Sequence, residues 1–179
     1  GKCYLFGIIG DDYSGSVLEN LIRKSGIERG ILLRDNRKTS VKERVIATRE
    51  GRKRQLIRID REDVCDIKKE LAYDIVKALR QNINELDGII LEDYDKGLLT
   101  EYLTSSIVNL ANDNGVPVFV DPKKRVIEDV CVFKPNKREL FEFSGVKDNI
   151  EKSCKKLYRE INPRYLVVTA GDDGMYIYN

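Results

Sequence analysis

Two short apolar runs, residues 116–120 and 130–133, constrain this chain more than any other stretch. The first stops at Asp121-Pro122-Lys123 and the second at Lys134-Pro135-Asn136. Continuous β-branched runs without alternation read as strands buried on both faces, the kind found in parallel sheets covered by helices. In an open parallel sheet, ligands collect at the carboxyl ends of the strands. Asp121, Lys123, Asn136 and Glu139 therefore stand where chemistry is expected. Taken as residue types alone, they suit turns and helix caps equally well.

The rest of the chain repeats the same grammar. An apolar run at residues 4–10 leads through Gly10-Asp11-Asp12 into a helix over 14–24, with Val17, Leu18, Leu21 and Ile22 at helical spacing and Gly26 as its stop. Ile31-Leu32-Leu33 reads as a strand. Asp66 is expected to cap a helix reaching 83, and Ile89-Ile90-Leu91 is a buried strand ending in Glu92-Asp93-Tyr94-Asp95-Lys96-Gly97. Thr100 caps the next helix, one more starts near Asn136, and another spans 151–160. Tyr165-Leu166-Val167-Val168-Thr169 and residues 175–178 close the chain as strands around the turn Ala170-Gly171-Asp172-Asp173-Gly174. Repeated βα units predict right-handed crossovers and a mainly parallel α/β sheet in a single domain over 1–179.

Residues 39–61 break the pattern. Apolar Val41, Val45 and Ile46 alternate roughly with Lys42, Arg44 and Thr48, and the alternation resumes from Gln55 to Asp60 after a polar turn. This predicts an antiparallel hairpin with one apolar and one basic face. Such a face is either simply solvated or a flap presenting Lys42, Arg44 and Arg58 to an anion.

Charge and composition exclude several classes. A net charge of +2 argues against a dedicated nucleic-acid partner. Neither a secretory leader nor an apolar run of membrane-spanning length is visible, so no membrane partner and a cytoplasmic location are expected. Four cysteines without CxxC spacing predict reduced, mostly buried thiols. The chain has no histidine. Any catalysis must use carboxylates, lysines, arginines, backbone amides or an oxygen-bound hard cation.

The motifs in their order are those of a known family. Gly10-Asp11-Asp12, the basic hairpin ending Gln55-Leu56-Ile57-Arg58-Ile59-Asp60, Asp93-Tyr94-Asp95-Lys96-Gly97, Asp121-Pro122-Lys123, Pro135-Asn136-Lys137-Arg138-Glu139 and Val168-Thr169-Ala170-Gly171 resemble the ribokinase-like (PfkB) carbohydrate kinases over essentially the whole chain. Within that family the likeness is to the heptose 7-phosphate kinases. The resemblance implies a three-layer fold with helices on both faces of the sheet, plus a basic lid hairpin over about 39–61. It implies ATP and Mg²⁺ as cofactors, with Asn136 and Glu139 holding the hydrated ion through water and Thr169 and Gly171 touching the nucleotide. It places a sugar phosphate against Lys42, Arg44 and Arg58 of the lid and against Asp93, Lys96, Asp121 and Lys123. Self-association of two copies through the hairpin, as a homodimer, is a further expectation, separate from the resemblance.

The departures from the family pattern set further expectations. The family's base is an Asp in a Gly-x-Gly-Asp turn that opens a helix. Thr169-Ala170-Gly171-Asp172 lacks that spacing and runs into a strand, so Asp172 is not nominated; the base is expected C-terminal to Asn179, and the chain reads as the central part of a larger kinase domain, inactive alone. Asp95 stands where a small residue is expected. Two rival readings use the same residues. Asp93-Tyr94-Asp95 imitates the paired aspartates of haloacid dehalogenase-type phosphatases, and without a base the chain could be a non-catalytic sugar-phosphate or nucleotide-binding module. Gly7-Ile8-Ile9-Gly10 falls short of the dinucleotide GxGxxG pattern.

Overall fold

The computed structural model describes the backbone of residues 1–179 and all side chains except those of Glu28 and Arg29. It comprises two compact units, residues 1–65 and residues 66–179.

The first unit begins with a βαβ turn and ends in a hairpin. Strand β1 (Tyr4–Gly10) feeds helix α1 (Tyr13–Lys24), which returns to strand β2 (Glu28–Asp35) lying parallel to β1. Asp12 caps α1 by accepting a 2.7 Å hydrogen bond from the Gly15 amide. Gly26, with φ of 74°, takes the left-handed conformation that ends the helix. Strands β3 (Val41–Arg49) and β4 (Arg52–Arg61) pair antiparallel. Glu50 and Gly51 form their two-residue turn with φ of 52° and 75°, the handedness that matches strand twist.

The second unit is a five-stranded sheet with its helices. In chain order it contains α2 (Lys69–Asn82), β5 (Ile89–Glu92), α3 (Glu101–Asp113), β6 (Val118–Asp121), β7 (Val132–Phe133), α4 (Lys137–Ser144), α5 (Ile150–Ile161), β8 (Tyr165–Thr169) and β9 (Met175–Tyr178). The spatial order is β5-β6-β7-β8-β9; the first four run parallel and β9 pairs antiparallel with β8. Thr100 caps α3 as expected, accepting from the Leu103 amide at 3.2 Å. Asp66 does not cap α2. The helix starts later, at Lys69, and the Asp66 carboxylate instead meets the Arg125 guanidinium at 3.4 Å.

The core lies on one side of this sheet. Leu91, Val118, Val120, Phe133, Leu166 and Val168 are all at most 4% exposed, and Leu103, Leu140, Leu157 and Ile161 join them from the helices. Pairing then forces the intervening residues onto the other face, because side chains alternate along a strand. There Ile90 stands opposite Phe119, and both are accessible, at 74% and 37% exposure, as is Ile177 at 69%. The expectation of strands buried on both faces is corrected in part: the inner face is buried throughout, while on the outer one Ile90 and Phe119 are exposed and Val132 and Val167 are half-buried. The cysteines need correction too. Cys154 is buried, and burial pushes its thiol up from the ordinary range, but Cys3 and Cys65 are exposed and Cys131 is intermediate.

This asymmetry has a measurable consequence. Leu166→Ala should cost about 2–5 kcal/mol in denaturant unfolding of the chain, whereas Ile90→Ala should stay within about 0.5 kcal/mol. A large loss at Ile90 would show that the outer face is packed in solution.

Candidate functional site

The parallel ladder decides which polar residues become neighbours. Glu92 pairs with Asp121 in register, and the Asp93 amide donates to the Asp121 carbonyl at 3.0 Å. The Lys134 amide donates to the Val120 carbonyl at 2.8 Å. The Thr169 amide donates to the Pro135 carbonyl at 3.1 Å, and Asn136 bridges Thr169 in parallel. Asp93, Asp121, Asn136 and Thr169 therefore stand side by side across the carboxyl ends of β5 to β8. The sequence put candidate residues at four separate strand tips, and the fold gathers them into one row.

Side chains knit this row together. Asp93 organises two loops at once. One carboxylate oxygen accepts from the Asp95 amide at 2.8 Å, and the other accepts from the Lys123 and Lys124 amides at 3.3 and 3.4 Å. The Lys123 ammonium reaches Glu139 at 3.1 Å, and Lys134 meets Asp121 at 2.8 Å. Glu139 is only 6% exposed. Its second oxygen accepts from the Asn136 amide at 2.9 Å, while the Asn136 side-chain oxygen accepts from the Glu139 amide at 2.9 Å. The pair is a capping box that opens α4 at the sheet edge. The turn-and-cap use and the site location thus coincide in the same two residues.

Lys96 sits in the bend after β5, between Asp95 and Gly97, both left-handed with φ of 53° and 78°. Gly171 has φ of 61° and begins a single 3-10 turn over Gly171–Asp173, closed by the Ala170 amide donating to the Gly174 carbonyl at 2.9 Å. The turn leads into the antiparallel strand β9, so Asp172 opens no helix. Sequence reading missed Lys134, which directly succeeds β7, and the Glu92–Tyr94 pair. The Glu92 charge, together with its hydrogen bond to the phenol, holds Tyr94 above the ordinary tyrosine range. The signal for both was position: they flank strand ends already singled out.

The basic candidates Lys42, Arg44 and Arg58 lie in the first unit, on its hairpin. Pairing sets Lys42 opposite Asp60 and Arg44 opposite Arg58, so all four share one face. Val45 and Ile57 face each other on the opposite side. The face is less purely basic than expected, since Asp60 accepts from Arg58 at 2.9 Å and Lys42 at 3.4 Å. Partial burial alone would raise the Asp60 carboxyl, but these two cations outweigh it and hold the carboxyl below its ordinary range.

Known proteins share both the sequence pattern and the fold. The family model described as pfkB family carbohydrate kinase matches residues 1–179. The chain belongs to that family. It is 32% identical over 180 residues to the bifunctional protein HldE of a Nitratiruptor species, covering 97% of this chain and 37% of that protein. It is 33% identical over 186 residues to HldE of Aliarcobacter butzleri, covering 98% and 38%. The chain thus spans little more than a third of the curated relatives it matches. Among solved structures it resembles the phosphofructokinase-2 from Escherichia coli in complex with fructose-6-phosphate, with TM-score 0.71, 16% identity, and coverage of 100% and 60%. Ribokinase from Giardia lamblia gives TM-score 0.69, 18% identity, and coverage of 98% and 56%. The fold is ribokinase-like α/β with an antiparallel hairpin, as the sequence resemblance implied.

Because the capping box opens α4, it should carry stability as well as position. Asn136→Ala and Glu139→Ala should each cost about 1 kcal/mol in chemical denaturation, since each removes one bond of the box. Unchanged midpoints for both variants would show that the box is not formed in solution.

Proposed function

We propose that this chain carries the sugar-phosphate and MgATP contact residues of a kinase that phosphorylates heptose 7-phosphate to heptose 1,7-bisphosphate, in the supply of ADP-heptose for lipopolysaccharide. The observation that carries the reading is the row Asp93–Asp121–Asn136–Thr169 at the carboxyl ends of parallel strands, with Lys123 and Glu139 joined behind it. That is the end of a parallel sheet where ligands bind. Family membership supplies the reaction class, and the HldE likeness supplies the sugar. We read the two units as parts of one kinase domain.

Each group then has a task. Asp93, Lys96, Asp121 and Lys123 bind and orient the sugar. Thr169 and Gly171 lie along the nucleotide, where the lack of a side chain at 171 lets the backbone approach phosphate or ribose. Asn136 and Glu139 fit a magnesium ion held through water. Their donors are oxygens, and each Glu139 oxygen has one partner within the chain and a second lone pair for a metal-bound water. Bound magnesium would neutralise charge on the transferring phosphoryl group. No residue of this chain is nominated as the base.

The hairpin accounts for the phosphorylated substrate. Arg44 and Arg58 are placed directly opposite on one face, an arrangement of like charges that costs energy in a bare sheet. A phosphomonoester between the two guanidiniums turns that repulsion into charge-assisted pairing. On the other side, Val45 and Ile57 are 47% and 53% exposed, and we assign this strip to self-association with a second copy. The cytoplasm, where ATP is supplied, is the proposed compartment. The phosphatase alternative finds no support, since the family match is to kinases. The non-catalytic alternative is likewise unsupported.

Calorimetry tests the assignment. Arg58→Ala should weaken heptose 7-phosphate binding by about tenfold or more while changing ATP affinity little, as expected for one lost charge-assisted pair. Asn136→Ala should do the reverse, weakening MgATP and sparing the sugar phosphate. Equal effects on both ligands would return the hairpin to scaffold.

A further inference from the structure

Asp12 does more than cap a helix. Its carboxylate accepts from the Gly15 amide at 2.7 Å, the Thr39 amide at 2.8 Å and the Thr39 hydroxyl at 2.7 Å. Thr39 lies two residues before β3, where the chain enters the hairpin, and is 8% exposed. Its hydroxyl donates to Asp12 and accepts from the Gly10 amide at 2.9 Å. The preceding amide, Lys38, donates to the carboxylate of Asp63, two residues beyond β4, at 2.7 Å. The contact is close enough to exclude a side chain on either glycine. A Cβ at Gly10 would overlap the Arg37 carbonyl and Thr39 nitrogen, and one at Gly15 would overlap the Gly10 carbonyl and Thr39 hydroxyl.

A helix cap needs one of these bonds. The other two tie the helix start to the root of the hairpin, in a stretch too tight for the tie to be incidental. We infer that Asp12, acting through Thr39, is a positioning residue that fixes the root of the hairpin and thereby the attitude of the face bearing Lys42, Arg44 and Arg58 toward a sugar phosphate. This rests on the reading of the hairpin as the phosphate-binding lid. Its physical basis is that a flexible flap binding an anion must be ordered first, and a pinned root removes part of that cost before the ligand arrives. The three bonds to a carboxylate also hold Asp12 below the ordinary carboxylate range, the Thr39 amide contributing most, so the anchor stays charged at neutral pH.

The substitution Asp12→Asn separates cap from anchor. Asparagine caps helices as well as aspartate does, but its side-chain nitrogen cannot accept a hydrogen bond, so one bond to Thr39 is lost and α1 is kept. Thr39→Val removes the hydroxyl alone, and Thr39→Ser restores it. Hydrogen exchange on this chain, with calorimetric affinities for heptose 7-phosphate and ATP, reads the outcome. We expect Asp12→Asn and Thr39→Val to speed exchange at residues 38–42 and 60–63, with residues 118–121 unchanged. Heptose 7-phosphate affinity should fall by about tenfold, the scale of one charge-assisted bond, with ATP affinity held. Thr39→Ser should recover both. Unchanged exchange at the hairpin root overturns the anchor. Faster exchange with undiminished sugar-phosphate affinity overturns the positioning role and leaves a structural tie. If Arg58→Ala also leaves sugar-phosphate affinity intact, the lid reading itself falls, and the exchange data still report on the anchor separately.

Discussion

Everything proposed for the second unit depends on the parallel ladder of β5, β6, β7 and β8. Parallel pairing sends every strand the same way, so every strand delivers its last residue to the same end. The strands are short, two to five residues, and β6 and β7 pair over two registered positions, Phe119 with Val132 and Val120 with Phe133, flanked by the bonds from the Cys131 and Lys134 amides. So few bonds would leave the alignment loose were it not for Phe133 and Leu166, both at 0% exposure, which hold the middle of the sheet against the helices. A slip of one residue in β7 or β8 would turn Phe133 or Leu166 outward and move Asn136 or Thr169 out of line with Asp121. The apolar core is thus what makes the polar row a row.

Much of this was legible in the sequence, because the signals were local. Hydrophobic runs ending at Asp121 and Lys134, a capping pattern at Asn136-Lys137-Arg138-Glu139 and an alternating basic stretch each follow from residue chemistry within a few positions. Three things were not. The start of α2 was misplaced because Asp66 is a good cap in isolation, yet its carboxylate is claimed by Arg125, 59 residues away. The one-sided burial was hidden because Ile90 and Phe119 are apolar like their buried neighbours, and a run apolar on both faces cannot report which face is covered. The purity of the hairpin's basic face was overstated, although period two alone puts Asp60 on the face of Arg58; the pairing register adds that Asp60 also stands opposite Lys42. In the first two cases, and for the Lys42–Asp60 pairing, the missing information was a partner remote in sequence.

The capping box shows why structural and functional readings of one residue need not compete. Glu139 is buried and bridges the Asn136 amide to the Lys123 ammonium. A carboxylate held on both oxygens cannot swing, so whatever its remaining lone pairs meet is met in one geometry. For an ion held through water, where the protein must orient solvent instead of stripping it, that fixity is the useful property. The two hydrogen bonds that stabilise the helix start would also fix the geometry of the proposed metal-phosphate site.

The hairpin presents the converse problem. Its turn at Glu50-Gly51 is far along the strands from its root, and a two-stranded ribbon alone is only marginally stable in water. Its basic face carries an opposed arginine pair that favours splaying, relieved only in part by Asp60. Order must therefore be supplied from the ends, and the bonds of Asp12 to Thr39 and of Asp63 to Lys38 are where the structure supplies it. On the proposed lid reading, an anion between the two arginines would cancel that repulsion, and the pinned root would leave less of the ribbon to be ordered.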